Sequence, residues 1–87
     1  MLQTIKGTIT DNNGEALIGV NVTVQGTTIG MISDIDGNFS LDVPVGKSLL
    51  FSYVGYMPQT VKIGNNKIIN VTMQEDSKVI IPYFSYL

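Results

Sequence analysis

Ser33-Asp34-Ile35-Asp36-Gly37-Asn38-Phe39-Ser40-Leu41-Asp42-Val43 is the stretch whose reading decides the fold. Its second half alternates, with apolar Phe39, Leu41 and Val43 separated by Ser40 and Asp42. Successive side chains of a β-strand point to opposite faces, so this period of two predicts one buried and one wet face. Asp36-Gly37 just before it is a strong hairpin-turn signal, because Gly accepts positive φ without strain. Met31 to Ile35 reads as the short strand that leads into the turn.

The same pattern spreads in both directions. Towards the N-terminus, Val20, Val22 and Val24 alternate with Asn21, Thr23 and Gln25, and Ile5 and Ile9 share one face of a strand over 4–10. Asp11-Asn12-Asn13-Gly14 and Gly26-Thr27-Thr28-Ile29-Gly30 are turn clusters. Towards the C-terminus, Pro44-Val45-Gly46-Lys47 turns the chain into 48–54, the most apolar strand and therefore a central one. After a bend at Gly55-Tyr56-Met57-Pro58, residues 59–63 and 67–73 read as a hairpin around Gly64-Asn65-Asn66. Gly, Pro and β-branched residues are too frequent for helices, and no stretch repeats its apolar residues at a period of 3.6. The fold expected is all-β, a seven-stranded Greek-key sandwich of the immunoglobulin-like kind.

At 87 residues the chain fits one domain. A domain of this size buries only about 60–65% of the surface its unfolded chain exposes, so modest stability is expected. It has no Cys, His, Trp or Arg, and five Lys against seven acids leave a net charge of −2. No disulfide supports the fold, and no basic patch favours nucleic acid as a partner. No apolar run reaches the about 18 residues that a membrane-spanning helix needs, so direct membrane insertion by a helix is not expected. Met1 to Lys6 does not have the pattern of a signal peptide.

Catalysis by a nucleophile requires a base beside it, and without His or Cys only an unsupported Ser–Lys pairing remains. Asp34, Asp36 and Asp42 are close in sequence, but they lie in or beside a turn, where Asp is a turn former. Asp34 to Asn38 resembles part of a calcium loop, yet the position that needs a bidentate Glu is Val45. Neither a metal nor any other cofactor is implied. Asn21-Val22-Thr23, Asn38-Phe39-Ser40 and Asn70-Val71-Thr72 fit the glycosylation pattern and read as outward-facing strand residues. Phe51, Tyr53 and Tyr56 form an aromatic group that reads as core, with a carbohydrate-stacking platform as the alternative. The chain therefore reads as a non-catalytic binding or interaction module.

The last segment differs from the rest. Residues 1–76 make the sandwich, and 77–87 form a strongly apolar tail, Val79-Ile80-Ile81-Pro82-Tyr83-Phe84-Ser85-Tyr86-Leu87 after Ser77-Lys78. This tail reads as an extra edge strand or disordered apolar end, or as a docking segment in which Val79, Ile80, Ile81 and Tyr83 meet a partner's sheet edge. Pairing between two tails would give a homodimer.

Several motifs in order resemble a known family. Ile5-Lys6-Gly7-Thr8-Ile9-Thr10-Asp11 resembles the opening of carboxypeptidase regulatory-like domains. Gly14 to Val22 is similar to their next segment with Ala16 where Pro is usual, and Asp34 to Leu41 to their Asp-x-Asp-Gly stretch with Ser33 in place of Thr. Gly26 to Gly30, Pro44-Val45-Gly46 and Leu50-Phe51-Ser52-Tyr53-Val54-Gly55-Tyr56 complete the series. The version ending Phe-Ser-Tyr-Val-Gly-Tyr is most similar to the N-terminal extension of SusC/RagA-like TonB-dependent outer-membrane transporters of Bacteroidetes. The resemblance implies a transthyretin-like sandwich on the periplasmic side of the outer membrane. It also implies partners, namely a TonB-type protein reached by the apolar segment and the transporter's plug and barrel. Lys78 stands where that family has an acidic residue, and Pro82-Tyr83 where it has Gly-Tyr.

Overall fold

A computed structural model describes residues 2–76. They are all-β and lie in two sheets: β1 (Leu2–Thr10), β2 (Asn21–Val24), β3 (Gly30–Ile32), β4 (Asn38–Pro44), β5 (Ser48–Ser52), β6 (Gln59–Lys62) and β7 (Val71–Thr72). One sheet has the order β4-β1-β7 and the other β3-β2-β5-β6. β1 pairs antiparallel with β4 and parallel with β7. All pairings in the second sheet are antiparallel, and β5 is an interior strand, as its apolar sequence predicts.

The register gives the sandwich two ends. At the basal end lie Leu2 opposite Pro44, and Ser48 opposite Lys62. At the distal end lie Thr8 opposite Asn38, and Asn21 opposite Ser52. Ile5, Ile9, Val20, Val22, Val24, Phe39, Val43, Leu49, Phe51, Ile63, Val71 and Met73 fill the space between the sheets. Phe39 and Phe51 meet edge to face across it, with ring centroids 5.4 Å apart, an arrangement that aromatic quadrupoles favour.

Two turns differ from the expectation. β3 pairs with β2 and β4 with β1, so Asp36-Gly37 is not a hairpin turn but carries the chain from one sheet to the other. The Gly37 amide donates to the Asp34 carbonyl (2.9 Å), and the Gly37 carbonyl accepts from the Ile9 amide (2.8 Å). Gly37 has φ +76°, and a Cβ there would lie 2.5 Å from the Ile9 carbonyl oxygen, so only Gly fits. The expected hairpin of 59–63 with 67–73 is likewise absent, because β6 pairs with β5 and β7 with β1. A period of two marks a strand but carries no information about which sheet receives it.

The strand expected over 31–35 ends at Ile32: the Ser33 amide still donates to the Val20 carbonyl (3.0 Å), but the Ser33 side chain replaces its carbonyl as partner of the Val20 amide. Its buried hydroxyl accepts from the Val20 amide (2.9 Å) and donates to the Leu17 carbonyl (2.7 Å). The strand expected over 67–73 is interrupted. Lys6 bridges Ile68, and Ile9 pairs with Val71, but between them the Thr8 amide donates to the Asn70 side chain (3.0 Å) instead of to backbone. This local mismatch brings the Ile69 carbonyl directly over Gly7, where a Cβ would lie 1.6 Å from its oxygen.

One side chain links the sheets along each flank. On one flank the Met31 sulfur of β3 accepts from the Ser40 amide of β4 (3.1 Å). On the other, the Gln59 amide of β6 donates to the Thr72 carbonyl of β7 (2.6 Å). Each link satisfies a backbone group that an open sheet edge would leave bare.

Candidate functional site

The distal end gathers four connecting segments: the turn after β1, the crossing loop before β4, residues 53–57 and residues 74–76. Asp11 organises the first, its Oδ1 accepting from the amides of Asn13 (2.8 Å) and Glu15 (3.0 Å). Asp34 does the same for the second, accepting from Asp36 (3.0 Å) and Asn38 (2.9 Å). Both are Asp side chains folded back on their own backbone, a turn-forming role. Asp42 lies farther down β4 and accepts from the Thr4 hydroxyl (2.7 Å). Asp34, Asp36 and Asp42 therefore do not converge on a common point. Among the described residues no three acidic, His or Cys side chains are placed to hold a metal ion.

The third and fourth segments are tied together. The Tyr56 amide donates to the Tyr53 carbonyl (3.1 Å), the Met57 amide to Gln74 (2.8 Å) and the Asp76 amide to Gly55 (2.9 Å). Tyr56 and Glu75 form an antiparallel bridge. The rings of Tyr53 and Tyr56 are 5.6 Å apart and inclined by 36°. Burial pushes the Tyr56 phenol above its ordinary pKa, and the nearby carboxylates of Glu75, Asp11 and Glu15, with Tyr53, push it further. The structure thus divides the aromatic group of the sequence. Phe51 is fully buried, while Tyr53 and Tyr56 are half-buried at the rim. A three-ring stacking platform does not form.

A concavity of about 540 Å³ opens beside the distal half of β1 and the start of β4, where Lys6, Thr8, Asn38, Ser40, Ile68 and Asn70 are among its lining residues. Thr8 holds both asparagines, its hydroxyl donating to Asn38 (2.8 Å) and its amide to Asn70 (3.0 Å). Two of the three Asn-x-Ser/Thr matches thus serve the sheet. The tail residues Val79, Ile80, Ile81 and Tyr83, singled out from sequence as a docking segment, lie outside the described residues. Sequence reading missed the roles of Ser33, Asn70 and Gln59. Only for Asn70 was there a signal, its place in a polar match that was read as outward-facing.

The sequence matches the CarboxypepD_reg-like domain across residues 5–81. The chain belongs to this domain family. Among relatives of this CarboxypepD_reg-like domain is the TonB-dependent receptor SusC of Bacteroides thetaiotaomicron. It is 40% identical over 77 residues, which cover 88% of this chain and 8% of the receptor. TonB-dependent receptor P3 of Formosa agariphila is 40% identical over 74 residues, covering 83% of this chain and 7% of the receptor. The domain thus spans less than a tenth of the length of these relatives. In solved structures, a Bacteroides fragilis protein of unknown function matches with TM-score 0.63 and 24% identity, over 91% of this chain and 30% of that one. The 3-chlorocatechol 1,2-dioxygenase of Rhodococcus opacus matches with TM-score 0.62 and 10% identity, over 87% of this chain and 60% of that one. At these identities the two structures show a shared fold and nothing about chemistry.

Proposed function

We propose that this chain is a non-catalytic accessory domain of a TonB-dependent nutrient transporter, glycans being the nutrient class, on the periplasmic side of the outer membrane. It acts through protein–protein contacts with the transporter's plug and barrel or with a TonB-type protein. The observation that carries this reading is the 40% identity to a segment of SusC across 88% of the chain. The carboxylates support a role without chemistry, since Asp11 and Asp34 are engaged in turns and Asp42 with Thr4. The strand orders support a Greek-key, transthyretin-like connectivity for the sandwich of residues 1–76, with 77–87 as the apolar segment that follows it.

The test begins with the encoding gene. An in-frame plug and barrel downstream, with an export signal upstream, supports the reading; a stop codon after Leu87 with no export signal overturns it. In cells carrying the whole protein, a photo-crosslinker placed within residues 77–83 should capture the plug or a TonB-type protein. Crosslinks to neither would remove the contact role.

A further inference from the structure

We propose that the distal end of the sandwich is a docking surface for a basic segment of a partner protein, with Tyr53, Val54, Tyr56 and Met57 as its apolar centre and Asp11, Glu15 and Glu75 as its rim. This deepens the accessory-domain reading and rests on it only for the expectation that the partner is a protein.

Geometry and charge point the same way. Val54 is 76% exposed and Met57 52%, in the same short segment as the paired tyrosine rings. Half-buried Tyr with exposed Met at the centre and charged residues outside is the composition of an interface rather than of an ordinary loop. The segment is already rigid, held by backbone bonds to Gln74 and Asp76, so docking loses little conformational entropy.

The sign of the partner follows from the charge gathered at the distal end. Lys47 and Lys62 flank Ser48 at the basal end, and Lys67 lies beside Lys6 at mid-strand. Glu75 bridges Tyr56, and Asp11 and Glu15 come from the turn after β1 at the same end, with no described lysine among them. A Lys or Arg side chain brings an apolar stem for Val54 and Met57, and a cation for the ring faces and the carboxylates.

The test uses the full chain, isotope-labelled and followed by NMR. Titrated with trilysine and with an Arg-Val-Arg tripeptide, the signals of Tyr53, Tyr56 and Met57 should shift saturably, and Gly-Ser-Gly should move none of them. Raising salt from about 20 mM to about 0.5 M should weaken binding about tenfold, as screening requires. Tyr56→Ser should weaken it severalfold. Glu75→Gln, an exposed change that leaves the fold intact, should do so as well, while Asp42→Asn should not. No shift with the basic peptides, equal shifts with Gly-Ser-Gly, or an Asp42→Asn effect as large as that of Glu75→Gln would overturn the proposal. So would tyrosine signals that move on Lys78→Ser without any peptide, while peptide added to the unchanged chain moves nothing, because the occupant would then be the chain's own tail. None of these failures touches the placement in a transporter, which the gene and the crosslinks decide.

Discussion

Gly7 and Ser33 show how much one position can decide. Gly7 faces inward between Ile5 and Ile9, and the Ile69 carbonyl occupies the space a side chain would fill. Gly7→Ala should therefore cost about 3 kcal/mol or more, since a rigid backbone atom must move. Gly64→Ala, where no atom lies within 4 Å, should be neutral or slightly stabilising. Urea denaturation of the two variants checks the contrast, and similar midpoints would refute it. Ser33→Ala leaves the Val20 amide and the Leu17 carbonyl without their partner, at a cost of about 2–3 kcal/mol. The raised pKa of Tyr56 fixes a pH dependence. The folded state holds the phenolic proton more tightly than the unfolded one, so this contribution is intact below the ordinary tyrosine range. It is lost as pH climbs through the folded value. Stability should fall as pH climbs past the ordinary tyrosine value of about 10, and fall less in Tyr56→Phe; equal declines would remove Tyr56 as the cause. The burial of Phe51 was legible from its place in the most apolar strand. The inward turn of Ser33 was not, because a hydroxyl in a polar stretch gives no pattern of its own.

At the scale of elements, alternation located the strands and the turn residues their boundaries, but neither assigned partners. β3 to β4 and β6 to β7 both read as hairpins, and both cross between sheets. The reason is physical: Asp-Gly and Gly-Asn-Asn permit a reversal of the chain, while the destination of the next strand is set by which apolar face it completes. Long-range contacts, such as the Gly37 carbonyl on the Ile9 amide, fix that choice and leave no local trace. The candidate site was legible as an aromatic cluster with Phe51, Tyr53 and Tyr56, but not as a rim, because its carboxylates come from turns far apart in sequence. The flank links are open to test. Gln59→Ala removes the bond to Thr72 and should cost about 1 kcal/mol. Hydrogen exchange at β7 should accelerate more than at β2, and uniform acceleration would show that the link is not local.

At the scale of the whole molecule, the distal end collects Asp11, Glu15 and Glu75, while Lys47 and Lys62 stand at the basal end. Like charges at the distal end repel one another, and that repulsion weakens the compact state. Added sodium chloride should therefore raise the melting temperature, by the equivalent of about 1 kcal/mol or less, and Glu75→Gln should reduce the gain. A melting temperature that falls with salt would mean that attractive pairs dominate instead.

The parallel pairing of β1 with β7 also has a mechanical consequence. Residue 2 stands at the basal end, and residue 76 leaves at the distal end beyond β7. Tension applied through those two points drags β1 and β7 lengthwise in opposite directions. The bonds joining them, and those from Lys6 to residues 67 and 69, are then loaded together in shear instead of peeling open one at a time. Built this way, the sandwich transmits a pull along its length as a stiff link, and it yields only when the whole seam slips.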